Sequence, residues 1–260
     1  MSTLIEIKKH GSVTEVTLNR TNAYNAFNLE MIAALANKLI ESAMDDAVKG
    51  IIITGKGKAF CAGGDLKWAV EFAERKGASF HTLASQLHLA IVEIRRMKKP
   101  VVAAINGIAA GAGFSLALAC DFRIMEKSAI LRQAYTSNGL CIDGGGTFIL
   151  PRIVGLARSL EIAAFDNPIS AHQALEWGLI TKVADDGRAL AEAINMLNVL
   201  AKGSLHSFGW SKKLLTDSFS NSLESHLELE REGLSACADS PDGQEGLNAF
   251  VEKRKPTFNI

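Results

Sequence analysis

The chain has 260 residues, with 28 Lys and Arg against 28 Asp and Glu, a formal net charge of zero, and 48% hydrophobic residues. That length fits one large domain, or one domain with an appendage, and the composition is that of a soluble globular protein. A neutral chain argues against a nucleic-acid footprint and against a general membrane-surface role.

Residues 5–18 read as a hairpin: Ile5 and Ile7 alternate with Glu6 and Lys8, His10-Gly11 turns the chain, and alternation resumes at Val16. Residues 28–44 predict an amphipathic helix with Asn28 as N-cap. A buried strand at 50–54 runs into the glycine-rich stretch GKGKAFCAGGD (55–65). A long helix is expected over 79–97, with Leu83, Leu87, Ile91 and Ile94 on one stripe. Pro100 closes that region, and 101–105 is a second buried strand. Residues 106–120 read as a glycine-rich turn into an apolar helix. Short strands follow at 121–125 and 129–131. The alternation of strands and helices places the chain in the α/β class, with parallel strands and crossover helices. From about residue 185 the pattern is helical only, and 222–234 and 243–254 read as helices of an appendage. We therefore divide the chain into a core, 1–195, and a C-terminal helical region, 196–260.

Cys61, Cys120, Cys141 and Cys237 lie far apart, without zinc spacing, so they are read as reduced thiols in a cytoplasmic setting with no metal site. The first 30 residues are too polar for a signal peptide, and no apolar run is long enough for a membrane helix.

The segments FCAGGD (60–65) and NGIAAGAG (106–113) share one logic: a buried strand, a turn of small residues, then a helix start. Such turns let backbone N–H groups approach a ligand, and a helix N-terminus adds a positive dipole end. Side by side, two of them make an oxyanion hole. The alternative is that the glycines only permit tight strand-to-helix packing. GKGKAF lacks the phosphate-loop pattern, and GAGFSL lacks the third glycine of a dinucleotide motif. GFSLA (113–117) is a near miss to a nucleophile elbow, but Ser115 is expected inside the helix, as part of its wall.

KAFCAGGDL (58–66), NGIAAGAGFSLALACD (106–121) and GLCIDGGGTFILPRIVG (139–155) together resemble the crotonase, or enoyl-CoA hydratase/isomerase, superfamily. SAHQALEWGLITKV (170–183) and GLNAFVEKRKPTF (246–258) extend the resemblance over nearly the whole chain. Within the superfamily, phenylacetate-pathway isomerases of the PaaG type look most similar. The resemblance implies a spiral of repeated ββα units, and a helical tail that makes homotrimers, often paired into hexamers. It implies an acyl-coenzyme A thioester as substrate, with no separately bound cofactor. By motif position, the N–H groups of Gly64 and Ala112 would hold the thioester oxygen. Asn25, Ala26, Ala62, Gly63, Asp65 and Leu66 would line the coenzyme A channel, and Lys253 would reach its phosphates. Residues 68–86, read as mobile, would set the pocket size.

Hydratases of this superfamily use two glutamates, and at the matching positions this chain has Ser115 and Tyr135. Asp143 stands where isomerase branches carry a proton-shuttling aspartate. One carboxylate suffices to take a proton from one carbon and return it to another. Leu140, Ile142 and Phe148 are expected to desolvate Asp143, which strengthens a carboxylate base. An alternative is that Asp143 caps the following helix. His88, Tyr135 and Asp143 also match the spacing of aryl-CoA dehalogenases, which makes His88 an accessory candidate, with Tyr135 and Leu140 in the pocket wall. The readings that stay open are an isomerase, a weak hydratase, a dehalogenase-like enzyme and a non-catalytic binder of coenzyme A esters.

Overall fold

In the computed structural model, which describes residues 3–258 except residue 73, the hairpin forms as its alternation requires. β1 (Ile5–His10) and β2 (Val13–Leu18) pair antiparallel, Ile5 opposite Leu18 and His10 opposite Val13. α1 (Leu29–Met44) follows, and the Asn28 side chain accepts from the Met31 amide as its N-cap.

From there the chain steps between two sheets. β3 (Gly50–Gly55) enters the first sheet and β4 (Ala59–Cys61) the second, before α2 (Leu66–Phe72) and α3 (Lys76–Arg96). β5 (Val101–Ile105), β6 (Ile108–Ala110) and α4 (Ala112–Ala119) repeat the step. So do β7 (Phe122–Glu126), β8 (Ile130–Arg132) and α5 (Gly146–Phe165). β9 (Ile169–Ser170), α6 (Ala171–Glu176) and β10 (Lys182–Ala184) close the spiral, and α7 (Ala189–Leu200), α8 (Leu205–Asp217), α9 (Leu223–Asp239) and α10 (Pro241–Val251) complete the chain. The first sheet has the order β1-β2-β3-β5-β7-β10, parallel after its opening hairpin. The second has the order β4-β6-β8-β9, parallel except at β8–β9.

β4 and β6 lie inside the stretches that read as turns. Three residues carry too little alternation to register as a strand, and it is pairing to each other that defines them. Residues 68–86 lie on α2 and α3, apart from the residues between those helices, and Trp68 stacks on Phe72 with ring centroids 4.3 Å apart.

The main core fills the space enclosed by the sheets and helices α1, α3, α4 and α5, with Phe27, Phe60, Phe114, Met31 and Leu39 sealed from solvent. A second core lies on the outer face of the first sheet, where Val13, Ile52, Val102 and Ile124 meet Ala189, Ala193 and Leu197. The division after residue 195 therefore falls inside α7, which belongs to the core. The helical region proper begins with α8. Sequence composition alone does not register that the first sheet needs α7 to cover it.

Lys212 ties α8 to that core. Its ammonium is 2.7 Å from the Asp121 carboxylate and donates to the carbonyls of Ile94 (2.7 Å) and Lys99 (3.2 Å). Asp121 also accepts from the Val101 amide at 2.8 Å. Burial pushes the Asp121 carboxyl up and the Lys212 amine down, and each charge offsets the shift in the other. Removing one partner of such a pair strands a buried charge. Lys212→Ala is expected to cost about 3–5 kcal/mol in denaturant unfolding. The double variant Asp121→Asn/Lys212→Met should recover most of that loss.

Candidate active site

β4 and β6 pair parallel, so the turns that leave them lie side by side. Gly63 marks their closest approach. Its φ is +100°, and a methyl group there would stand 2.9 Å from the Ala110 carbonyl oxygen and 3.3 Å from the Ala112 nitrogen. Only glycine fits both the dihedral and the space. Phe27 pins the first turn: its amide donates to the Gly63 carbonyl (2.7 Å), and its carbonyl accepts from the Asp65 amide (2.9 Å). These bonds use the groups on either side of Gly64, so the Gly64 N–H points away from Phe27. Ala112 opens α4, where the first-turn N–H groups have no helical acceptor. Among the described residues, neither N–H has a hydrogen-bond partner, and both residues line a cavity of about 410 Å³. Its walls are mainly apolar, with Phe27, Ile32, Leu66, Leu83, Leu87 and Leu140.

Tyr135 and Asp143 also line this cavity. The Tyr135 hydroxyl donates to Asp143 Oδ1 in a short hydrogen bond. Burial pushes the Tyr135 phenol well above its ordinary pKa, and the neighbouring Asp143 charge pushes the same way. The phenol therefore stays protonated and donates to the carboxylate. Ser115, fully buried on α4, donates to the Asp143 backbone carbonyl at 2.8 Å. It is a wall residue that fixes the loop carrying Asp143, and its buried hydroxyl is occupied there. The contact is tight: a methyl group on Gly146 would sit 2.8 Å from Ser115 Oγ, and one on Gly144 would sit 2.9 Å from Ser115 Cβ.

Asp143 does not cap α5: the N-cap position is Gly145, with no side-chain capping bond, and only the Asp143 backbone carbonyl accepts from the Gly146 amide. The carboxylate is left for the cavity. The desolvation expected around it is only partly present. Asp143 and Ile142 are half-buried, and Phe148 is 43% exposed, stacked under the Arg152 guanidinium at 3.5 Å. The start of α5 turns Phe148 outward.

The remaining residues singled out in the sequence divide in two. Ala62, Gly63 and Leu66 line the cavity. Asn25, Ala26 and Asp65 do not, because they build the loops behind it. Asn25 is fully buried at φ +58°, accepts from the Arg20 amide, and donates to the carbonyls of Lys56 and Ala59. The Ala26 carbonyl accepts from Arg20 Nη1 at 3.1 Å. Asp65 pairs with Arg20 at 2.6 Å and accepts from the Lys67 and Trp68 amides at the start of α2. Burial alone would raise the Asp65 carboxyl, but the Trp68 amide and Arg20 outweigh it and hold it below the usual range. Lys253 is exposed beyond the end of α10, away from the cavity lining. Its neighbour Arg254 is committed to Glu245 and Glu252.

His88 is likewise outside: it lies on the exposed face of α3, one residue past buried Leu87 and so about 100° around the helix. His81 lines the cavity instead, together with Gly77, Phe80 and Ala84 of the same face. That face could have been found from its i, i+3, i+4, i+7 spacing beside the Leu83–Leu87 stripe. Cys141 and Asn138 line the cavity with no sequence signal beyond their nearness to Asp143.

A family model described as enoyl-CoA hydratase/isomerase matches residues 8–260. The 1,2-epoxyphenylacetyl-CoA isomerase of Escherichia coli (strain K12) is 37% identical over 247 residues, 95% of this chain and 94% of that protein. The trans-2-decenoyl-[acyl-carrier-protein] isomerase of Streptococcus mutans is 31% identical, over 95% of this chain and 94% of that protein. The crystal structure of an enoyl-CoA hydratase from Polaromonas sp. JS666 superposes with a TM-score of 0.93 at 34% identity, covering 98% of this chain and 99% of the other.

Gly63→Ala should lower the midpoint of denaturant unfolding by an amount worth about 1–3 kcal/mol, since it combines a left-handed dihedral with a backbone clash. Gly77→Ala, on α3 with open space around it, should instead be neutral or stabilising by up to about 1 kcal/mol.

Proposed function

The chain belongs to the enoyl-CoA hydratase/isomerase family, and we propose that it isomerises an acyl-CoA, shifting a double bond or a ring, with Asp143 as base and acid. One observation carries this reading: Asp143 is the only carboxylate among the described residues that line the cavity. Addition of water by the two-glutamate route has no second carboxylate to use. Ser115 donates to a backbone carbonyl, and Tyr135 donates to Asp143. A proton shift needs only the one group.

In this mechanism the thioester oxygen accepts from the Gly64 and Ala112 N–H groups. The thioester acidifies its α-hydrogens, and conjugation extends this to γ-hydrogens. As Asp143 removes a proton, charge collects on the oxygen, where each N–H is worth roughly 3–4 kcal/mol. Asp143 then returns the proton to a different carbon. The Tyr135 hydroxyl holds the carboxylate in place throughout, and the apolar walls limit water that would trap the enolate. Coenzyme A enters as part of the substrate, and no other cofactor is invoked. The dehalogenase reading loses support, since His88 faces solvent, and so does a nucleophile elbow at GFSLA, since Ser115 is sealed in the helix wall.

We also propose that the chain works as a homotrimer or a dimer of trimers. α9 and α10 expose Leu223, Leu227, Leu234, Leu247, Phe250 and Val251, an apolar surface that suits subunit contact. Among the described residues, no helix is long and apolar enough to cross a membrane.

Asp143→Asn should lower turnover of a 3-enoyl-CoA by about 10²–10⁴-fold, while Ser115→Ala stays within about tenfold. Tyr135→Phe, which removes one hydrogen bond to the base, should cost about ten- to a hundredfold in kcat/KM. Mass spectrometry in deuterated water should show label at the α or γ carbon without the mass of added water. Full activity in Asp143→Asn, or a hydrated product, would overturn the isomerase reading. Light scattering of the eluted protein should give three or six chain masses.

A further inference from the structure

Helices α3 and α4 line the active cavity from their N-terminal portions, and further along they join α5, β7 and α8 around a second cavity of about 390 Å³. Its wall carries four cations, Arg95, Arg123, Arg152 and Lys212, and one carboxylate, Asp121. Two of the cations are already committed. Lys212 pairs with Asp121, and Arg123 donates to the carbonyls of Leu179 and Cys120, each at 2.6 Å.

Arg95 and Arg152 are not neutralised. Among the described residues, the Arg95 side chain has no ion pair and no hydrogen bond, although the residue is half-buried. The carboxylates whose fields reach it are Asp121, held by Lys212, and Asp217, held by Arg96 at 2.9 Å. Arg152 also has no ion pair among the described residues. Its guanidinium lies between the Phe148 ring (3.5 Å) and the Phe219 ring (4.8 Å), and Nη1 donates to the Phe148 carbonyl. Burial lowers the Arg95 pKa, and the charge of Arg152 adds to that effect. Apart from Ser211 and Thr216, the rest of the wall is apolar and includes Leu118, Ile149, Ile153 and Phe208.

We propose that this cavity is a second ligand site, which binds an oxyanion head group, carboxylate or phosphate, carried on an apolar body. Arg95 and Arg152 hold the head group, since a guanidinium fork matches the spacing of paired oxyanion oxygens. Leu118, Ile149, Ile153 and Phe208 take the apolar body. The site shares no lining residue with the active cavity, so this inference stands apart from the role of Asp143.

Calorimetric titration of the assembled protein tests it, with sodium octanoate, octyl phosphate and inorganic phosphate as probes. At least one octyl probe should bind more tightly than inorganic phosphate. The tighter of the two octyl probes tells whether the head group is a carboxylate or a phosphate. Arg95→Gln and Arg152→Gln should each weaken binding by about tenfold or more, and Arg95→Lys should retain part of it. Circular dichroism and turnover of the acyl-CoA would confirm that each variant is folded. The proposal is overturned if neither octyl probe binds, or if binding survives both glutamine substitutions. It is equally overturned if Arg95→Gln changes the sedimenting mass while no probe binds the parent protein, since the counter-charge is then a carboxylate of a second copy.

Discussion

Everything at the site depends on how closely two backbone turns approach each other. Parallel pairing of β4 and β6 brings the chain from Ala62 to Gly64 against the start of α4, and Gly63 sits where no side chain fits. The neighbouring strand completes the arrangement. β6 pairs with β8, and the Gly111 amide donates to the Arg132 carbonyl at 3.1 Å. The chain leaving β8 then supplies Tyr135 and Asp143. Each of these three short strands thus delivers one part of the site from its C-terminal end: one N–H, a second N–H, and the carboxylate with its tyrosine. The parts proposed for catalysis are mostly backbone, so their precision comes from strand register and loop pinning rather than from rotamers.

Much of this was legible in the sequence, and the exceptions have physical reasons. The hairpin, the Asn28 cap and the buried strands of the first sheet follow from local chemistry, whose signal is strong over five or more residues. The second sheet follows only in part: β8 answers to the short strand expected at 129–131, whereas β4 and β6 span three residues each inside glycine-rich turns and exist only through their partners. The motif glycines and Asp143 were readable because close approach demands particular residue types. His88 illustrates the converse. Its distance along the chain matched a pattern, yet the phase of α3, set by Leu83, Leu87 and Ile91, turns it to solvent.

Asn25 and Asp65 mark another limit. A motif position tells that a residue matters near a site, but not whether its side chain faces the ligand or the scaffold. Both point into the scaffold. Asn25 fastens the loop that precedes β4, and Asp65 joins Arg20 to the start of α2. Asn25, fully buried, and Asp65, half-buried, keep their hydrogen bonds inside the protein, as polar groups taken out of water must. The precision of the Gly64 turn rests on them without their touching anything bound there.

The packing of Ser115 against Gly144 and Gly146 has a consequence for how such pockets can change. The α4 wall and the glycine loop pack so closely that neither Gly144 nor Gly146 could carry a side chain without meeting Ser115. A different side chain at position 115 would give up the hydrogen bond that ties α4 to the Asp143 carbonyl. Ser115, the two glycines and Tyr135 all bear on the one segment that carries Asp143. Substitutions among these positions are therefore expected to be epistatic, each changing the setting in which the others act.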